Sequence, residues 1–343
     1  MRVLKALIIT LVFIGFTGCG GTDEGTDATS GTSGVDGSEA VEPTTVPLPF
    51  TCSTGGIVAD GKNSGWMVQG QTREFQAQLP AVSAGTPVSV IFMWHGVGDT
   101  ADNFRAALPL SPNSDPEFPY IAIYPQGLKL MPVSMNPALK AGMEWDIFAG
   151  SSGVDNLEAA LFEEVLGCLG QQYTIDSSRI YVAGFSGGAI VTNMLHSRYP
   201  EYIGAIYAMS GAWFNDANQT GAVKTGPITV NFDWEALNSA DEGAVILSHG
   251  GGNDWYGDAS YAAFIPPDGK IIDFEVSAQH AIGFLRDNNR TVIDCPHEYG
   301  HQPHPQVYLN TVLEFFKAHR AGEKSSYSAN GLPSSFPAAC QLR

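Results

Sequence analysis

Arg179-Ile180-Tyr181-Val182-Ala183-Gly184-Phe185-Ser186-Gly187-Gly188-Ala189-Ile190-Val191-Thr192-Asn193-Met194-Leu195 is the stretch whose reading decides the fold. Ile180 to Ala183 is a strand-type apolar run, and Ile190, Val191, Met194 and Leu195 recur at helical spacing. Five residues, Gly184 to Gly188, join the two as G-x-S-x-G. A strand that turns into a helix over so few residues holds the central serine in a strained conformation, and only small neighbours let the two backbones pass. The spacing therefore predicts a sharp turn with the Ser186 hydroxyl at its tip. It also places the Gly187 amide at a helix start, where unpaired donors and the positive end of the helix dipole can meet a developing oxyanion.

Upstream, Phe75, Ala77 and Leu79 alternate with glutamines as in a half-buried strand, and Val88 to Trp94 is a nearly continuous apolar run. Such a run fits a strand covered on both faces. It ends in His95-Gly96-Val97-Gly98-Asp99, a glycine-rich turn that offers the amide of Val97 or of Gly96 as a second oxyanion donor. Tyr120 to Tyr124 is a further buried strand, and the segment from Gly127 to Gly153 is a loop in which Trp145-Asp146 either packs or lines a cleft. Asp155-Asn156-Leu157-Glu158 has capping-box spacing with Asp155 as the cap. Leu157, Leu161, Val165 and Leu169 then mark an amphipathic helix.

Downstream, Pro200 stops the helix after the elbow, and Ile203 to Met209 and Ala244 to Ser248 read as strands. The alternation of strands and helices predicts a mostly parallel α/β sheet with right-handed crossovers and helices on both faces. Asp254 follows the second of these strands by a few residues and is the candidate acid, with Asp258 as its alternate. Val276 to Leu285 is expected to be a helix and Thr291 to Ile293 a short strand. His297, His301 and His304 come next, at spacings that on a helix would suit a metal, but Pro296, Gly300, Pro303 and Pro305 argue for a loop. No metal is expected, no Cys/His spacing suggests zinc, and one of the three histidines is the candidate general base. A last helix carries Leu309, Val312, Leu313 and Phe316.

The ends and the composition bound the rest. Residues 1–19 have the make-up of an export signal, with Arg2 and Lys5 ahead of the apolar stretch Ala6 to Phe16, and ending at Gly18-Cys19 resembles a lipoprotein signal whose cysteine is lipidated. Residues 20–47, rich in Gly, Thr, Ser and acidic side chains, read as a flexible tether. With 17 Lys and Arg against 35 Asp and Glu, a formal charge of −18 would repel a phosphate backbone, so nucleic acid is excluded as a partner. Cys52, Cys168, Cys295 and Cys340 imply two disulfides in an exported chain. Of the three connectivities, the pairing of Cys52 with Cys340 and Cys168 with Cys295 is favoured, because it would staple the two ends.

Taken together, His95-Gly96, Ala101-Asp102-Asn103-Phe104, Tyr124-Pro125-Gln126-Gly127, Val154-Asp155, Asp176, Arg179-Ile180-Tyr181, the elbow and Gly300-His301 resemble the α/β-hydrolases of the secreted polyhydroxybutyrate-depolymerase and feruloyl-esterase type. The similarity runs from about Pro80 to Arg320. It implies an α/β-hydrolase catalytic domain over residues 48–343 that hydrolyses carboxylic esters, of a polymer or an aryl ester, through an acyl-enzyme and without a cofactor. It also implies His301 as base and Val97 as the second oxyanion amide. The sequence departs from the family where Gln302-Pro303-His304-Pro305 follows the Gly-His pair, and His249 precedes Asp254 by one residue more than usual; His304 and Asp258 therefore stand as alternates. Two other readings use the same residues: a serine peptidase or acyltransferase, and a surface polymer-binding module with an idle triad. Membrane contact is expected only through a lipid anchor at Cys19.

Overall fold

The computed structural model describes residues 47–128, 144–147, 156–216, 232, 234–238, 242–257, 269–307 and 309–343. The proposed signal, nearly all of the tether, Cys19, Asp155, Asp258 and most of the segment from Gly127 to Gly153 that is expected as a loop lie outside them.

The strands and helices follow in chain order: β1 (Gly61–Val68), β2 (Gln71–Gln78), β3 (Pro87–Trp94), α1 (Ala101–Ala107), β4 (Tyr120–Pro125), α2 (Leu157–Gln172), β5 (Thr174–Phe185), α3 (Gly187–Arg198) and β6 (Ile203–Met209). Then come β7 (Gly243–His249), β8 (Trp255–Tyr256), β9 (Ile272–Asp273), α4 (Phe274–Asp287), β10 (Arg290–Pro296), α5 (Leu309–Lys317), α6 (Tyr327–Asn330) and β11 (Gln341–Leu342). Among the described residues the main sheet has nine strands in the order β1-β2-β4-β3-β5-β6-β7-β10-β11. The stretch from β4 to β10 is parallel, and the outer strands β1, β2 and β11 pair antiparallel.

Period-two alternation explains why this sheet is covered on both sides. Val88, Val90, Phe92, Ile180 and Val182 face one core with Leu161, Val165, Val191, Leu195, Ala281 and Leu285 of α2, α3 and α4. Their neighbours Ile91, Met93, Tyr181 and Ala183 face the other, with Phe104 of α1, Phe315 and Phe316 of α5 and Tyr327 of α6. Strands buried on both faces need no polar side, which is why the apolar runs in the sequence are nearly continuous.

The topology fixes where a site can form. After β3 the chain adds β4 toward one edge and then returns to place β5 on the other side of β3, so a crevice opens between the carboxyl ends of β3 and β5. Register keeps these ends level. Trp94 pairs with Gly184, Phe185 with Met209, Met209 with Ser248 and Ser248 with Cys295.

Three expectations are corrected here. The cap of α2 is Asn156, whose side chain accepts from the amides of Glu158 and Ala159. Nor does α2 keep a polar face in water: Glu158 is fully buried against Arg73 of β2, and Glu164 accepts from Ser53 and Thr54. Finally, the disulfides are Cys52–Cys168 and Cys295–Cys340. The register of β10 and β11, Ile293 with Leu342 and Asp294 with Gln341, brings Cys340 beside Cys295. The N-terminal segment lies so close to α2 that a Cβ on Gly167 would stand 2.6 Å from the carbonyl carbon of Thr51, which brings Cys52 to Cys168. Each end is thus stapled to its own neighbour. Disulfides of this kind belong to chains that fold in oxidising surroundings. Among the described residues, no helix is long and apolar enough to cross a membrane.

Candidate active site

Ser186 sits between β5 and α3 at φ 54° and ψ −119°, outside the regions an L-residue prefers, as the elbow requires. The surrounding backbone enforces this. A Cβ on Gly188 would come within 2.1 Å of the Trp94 carbonyl oxygen, and one on Gly184 within 2.2 Å of the Gly188 carbonyl oxygen. Ser186 is the N-cap of α3, and its carbonyl accepts from the amides of Ala189 and Ile190.

The β3 end delivers the neighbouring wall. A Cβ on Gly187 would meet the Val97 side chain at 2.6 Å and its backbone nitrogen at 3.7 Å, so the two expected oxyanion amides are carried by backbones in close approach. Four hydrogen bonds hold the Val97 turn. His95, buried and held neutral by that burial, accepts from the Gly127 amide through Nε2 at 3.0 Å and donates to the Gly96 carbonyl through Nδ1 at 2.8 Å. Trp145 donates to the His95 carbonyl at 2.9 Å, and the Gly98 amide donates to Glu144 at 2.9 Å. Trp145 is buried, which settles its role as packing and support. Asp146 accepts from the Leu157 amide at the start of α2.

Ser186, Asp254 and His301, far apart in the chain, meet at this edge. His301 donates from Nδ1 to Asp254 Oδ1 at 2.6 Å, and its Nε2 accepts from Ser186 Oγ at 2.9 Å. Asp254 is fully buried, and its second oxygen accepts from the Gly250 amide at 2.7 Å and the Ser210 hydroxyl at 2.8 Å. With both oxygens occupied, the carboxylate has one orientation, and through it the imidazole has one tautomer. The rings of Phe274 and Phe185 pack on the imidazole, both 4.8 Å between centroids. Its side chain keeps 26% exposure.

His304 does not join the relay. It is buried, and its Nδ1 accepts from the Gln306 amide at 3.1 Å. His297 is likewise buried, so the loop histidines are not a solvated surface group. Sequence reasoning missed Ser210, the Gly250 amide and Phe274. Ser210 had one local signal, its position one residue past a buried strand, where it takes φ 54° beside the sheet edge. Phe274 comes from α4 and had none.

The phospholipase/carboxylesterase family model matches residues 81–229. That span holds Ser186 and Val97 but ends before Asp254 and His301. An acetylxylan esterase A of Emericella nidulans is 27% identical over 154 residues, covering 42% of this chain and 45% of that protein. A feruloyl esterase B of Neurospora crassa is 26% identical over 188 residues, covering 55% and 60%. The chain thus spans about half the length of the curated relatives it matches. Among solved structures, native pOPH superposes with a TM-score of 0.61 at 20% identity, covering 85% of this chain and 97% of that one, and native sOPH with 0.59 at 18%, covering 86% and 97%. Sheet order, elbow and these superpositions agree: the chain has the α/β-hydrolase fold.

Proposed function

We propose that the chain is a serine esterase that hydrolyses carboxylic esters through an acyl-enzyme, with Ser186 as nucleophile, His301 as general base and Asp254 as the acid that orients it. The observation that carries this reading is the unbroken relay from Asp254 Oδ1 through His301 to Ser186 Oγ, at 2.6 and 2.9 Å. As Ser186 Oγ attacks the ester carbonyl, its proton passes to His301 Nε2, and buried Asp254 stabilises the imidazolium. The oxyanion forms toward the amides of Gly187 and Val97, whose dipoles are oriented before the reaction begins. Collapse of the tetrahedral intermediate breaks the bond to the alcohol oxygen, which leaves with the proton from Nε2. Water then enters, gives a proton to the same nitrogen and attacks the acyl carbon, and the acid departs as Oγ recovers its proton.

The similarity to acetylxylan and feruloyl esterases supports esters as the substrate class. Within it we assign feruloyl or other aryl esters and polyesters. Residues 48–343 form the catalytic domain in this reading, carried on the 20–47 tether, exported by the signal at 1–19 and anchored by lipid at Cys19. The test is hydrolysis of short aryl esters, polyesters and feruloylated sugars by the full chain. Ser186→Ala should lower turnover by about 10⁴-fold or more, and His301→Ala by several orders of magnitude. Equal rates for wild type and Ser186→Ala would refute the nucleophile.

A further inference from the structure

Pro296 to Val307, the loop that presents His301, has little regular structure to hold it. Pro296, Pro303 and Pro305 offer no backbone donor, so the backbone alone cannot lace the loop together. Its root is firm. Pro296 pairs with His249 at the end of β7, the His297 amide donates to the His249 carbonyl at 2.9 Å, and the Gly300 amide donates to the Gly250 carbonyl at 3.1 Å. Gly250 and Gly300 approach so closely that a Cβ on Gly250 would stand 2.0 Å from the Gly300 carbonyl oxygen. Beyond the root, the loop turns twice on buried histidines that the relay does not use. His297 Nδ1 accepts from the Tyr299 amide at 3.2 Å and His304 Nδ1 from the Gln306 amide at 3.1 Å, one on each side of His301. Their rings lie 4.9 Å apart, edge to face.

An amide can only donate, so each Nδ1 is unprotonated and each ring is neutral. We propose that His297 and His304 are positioning residues that, as neutral acceptors for the amides of Tyr299 and Gln306, fix the two turns presenting His301 to Ser186 and Asp254. This rests on the reading of His301 as the general base. Burial keeps both rings uncharged near neutrality: it lowers His304 below the ordinary imidazole range and takes His297 to about 4 against the opposing pull of Asp254. A purely space-filling role would be met by any apolar side chain of similar size. A positioning role needs the acceptor atom.

That difference sets the experiment, made on the full chain with its disulfides intact. In His297→Leu and His304→Leu, kcat for an aryl ester should fall roughly 10- to 100-fold while KM stays within about twofold, with circular dichroism and melting showing a folded protein. His297→Asn and His304→Asn restore a side-chain oxygen that closes the same two-residue turn, and kcat should return to within about threefold of wild type. Leucine variants with wild-type kcat, or asparagine variants as slow as the leucine ones, would overturn the proposal. Amide exchange on the wild type guards against variants that do not fold: the Tyr299 and Gln306 amides should be protected, and exchange at the rate of an open loop would equally overturn it. A wild type that turns over no ester ends the esterase reading, whereas one that does so while the leucine variants match it ends this inference alone.

Discussion

The elbow and the loop of His301 bring the two side chains of the proposed chemistry to the same point and are built on opposite principles. At the elbow, strain is imposed locally. Five neighbouring residues, two of them unable to carry a Cβ, sit between a strand and a helix buried on both sides, and the backbone of Ser186 has one way through. At the base loop the chain is held from a distance, by a strand end at His249, a neighbouring glycine at 250, two inward-facing histidines and the root of β10. That root is stapled by Cys295–Cys340 and by the pairing of Asp294 with Arg343. Local geometry tolerates almost no change at a few positions; dispersed geometry spreads its tolerance over many.

The largest expected effect breaks the elbow. Gly188→Ala puts a methyl group 2.1 Å from the Trp94 carbonyl, a backbone atom that cannot move without shifting β3. Overpacking of this severity should cost about 3 kcal/mol or more, read as a fall in the denaturant midpoint with loss of turnover. A midpoint equal to that of wild type would show the elbow to be less confined than described.

The next effect separates the two regions by acid. Burial lowers His297 to about 4, so the open state takes up a proton before the closed one does. The loop's stability is therefore complete above the ordinary histidine pKa of about 6.5, falls as the pH drops from there toward about 4, and levels off below. Among the described residues the charged and titratable groups around this ring include Tyr299, His304, His249 and Asp254. Amide protection in residues 297–307 should decline through that window, while residues 180–190, which hold no titrating side chain but the buried Tyr181, stay protected until the whole domain unfolds. A parallel decline in both segments would contradict the distinction.

The smallest effect sharpens it. Ser210→Ala removes one of the two hydrogen bonds on Asp254 Oδ2 and leaves the Gly250 amide in place. A hydrogen bond to a charged group is worth about 1.5–3 kcal/mol, so kcat should fall about tenfold or somewhat more with KM little changed. An unchanged kcat would mean that the Gly250 amide alone orients the acid.

This contrast also accounts for what could be read from residues alone. Ile180 to Ala183, Val88 to Trp94 and Ile203 to Met209 are legible as strands because burial on both faces leaves no polar positions to confuse the pattern, and Ser186 because its small neighbours are adjacent in sequence. Asp254 was singled out by its place just past a strand end and His301 by the family resemblance. Ser210 and Phe274 were not, since each acts through a neighbour set by register or by helix docking. The disulfides failed for the same reason: Cys340 meets Cys295 only because β11 pairs with β10 in one register. Asn156 caps α2 one residue later than the spacing suggests: its side chain accepts from the Glu158 and Ala159 amides although Ala159 stands where a box would need Glu or Gln.

The central claim is that the His301 imidazole activates the Ser186 hydroxyl. Labelling the full chain with an aryl phosphonate and locating the adduct by mass spectrometry tests it directly, since the reagent bonds only to an activated hydroxyl. One adduct on Ser186 in wild type, slowed by about a thousandfold or more in His301→Ala, is the expected result; labelling at another serine, or equal rates in the two proteins, would contradict the account.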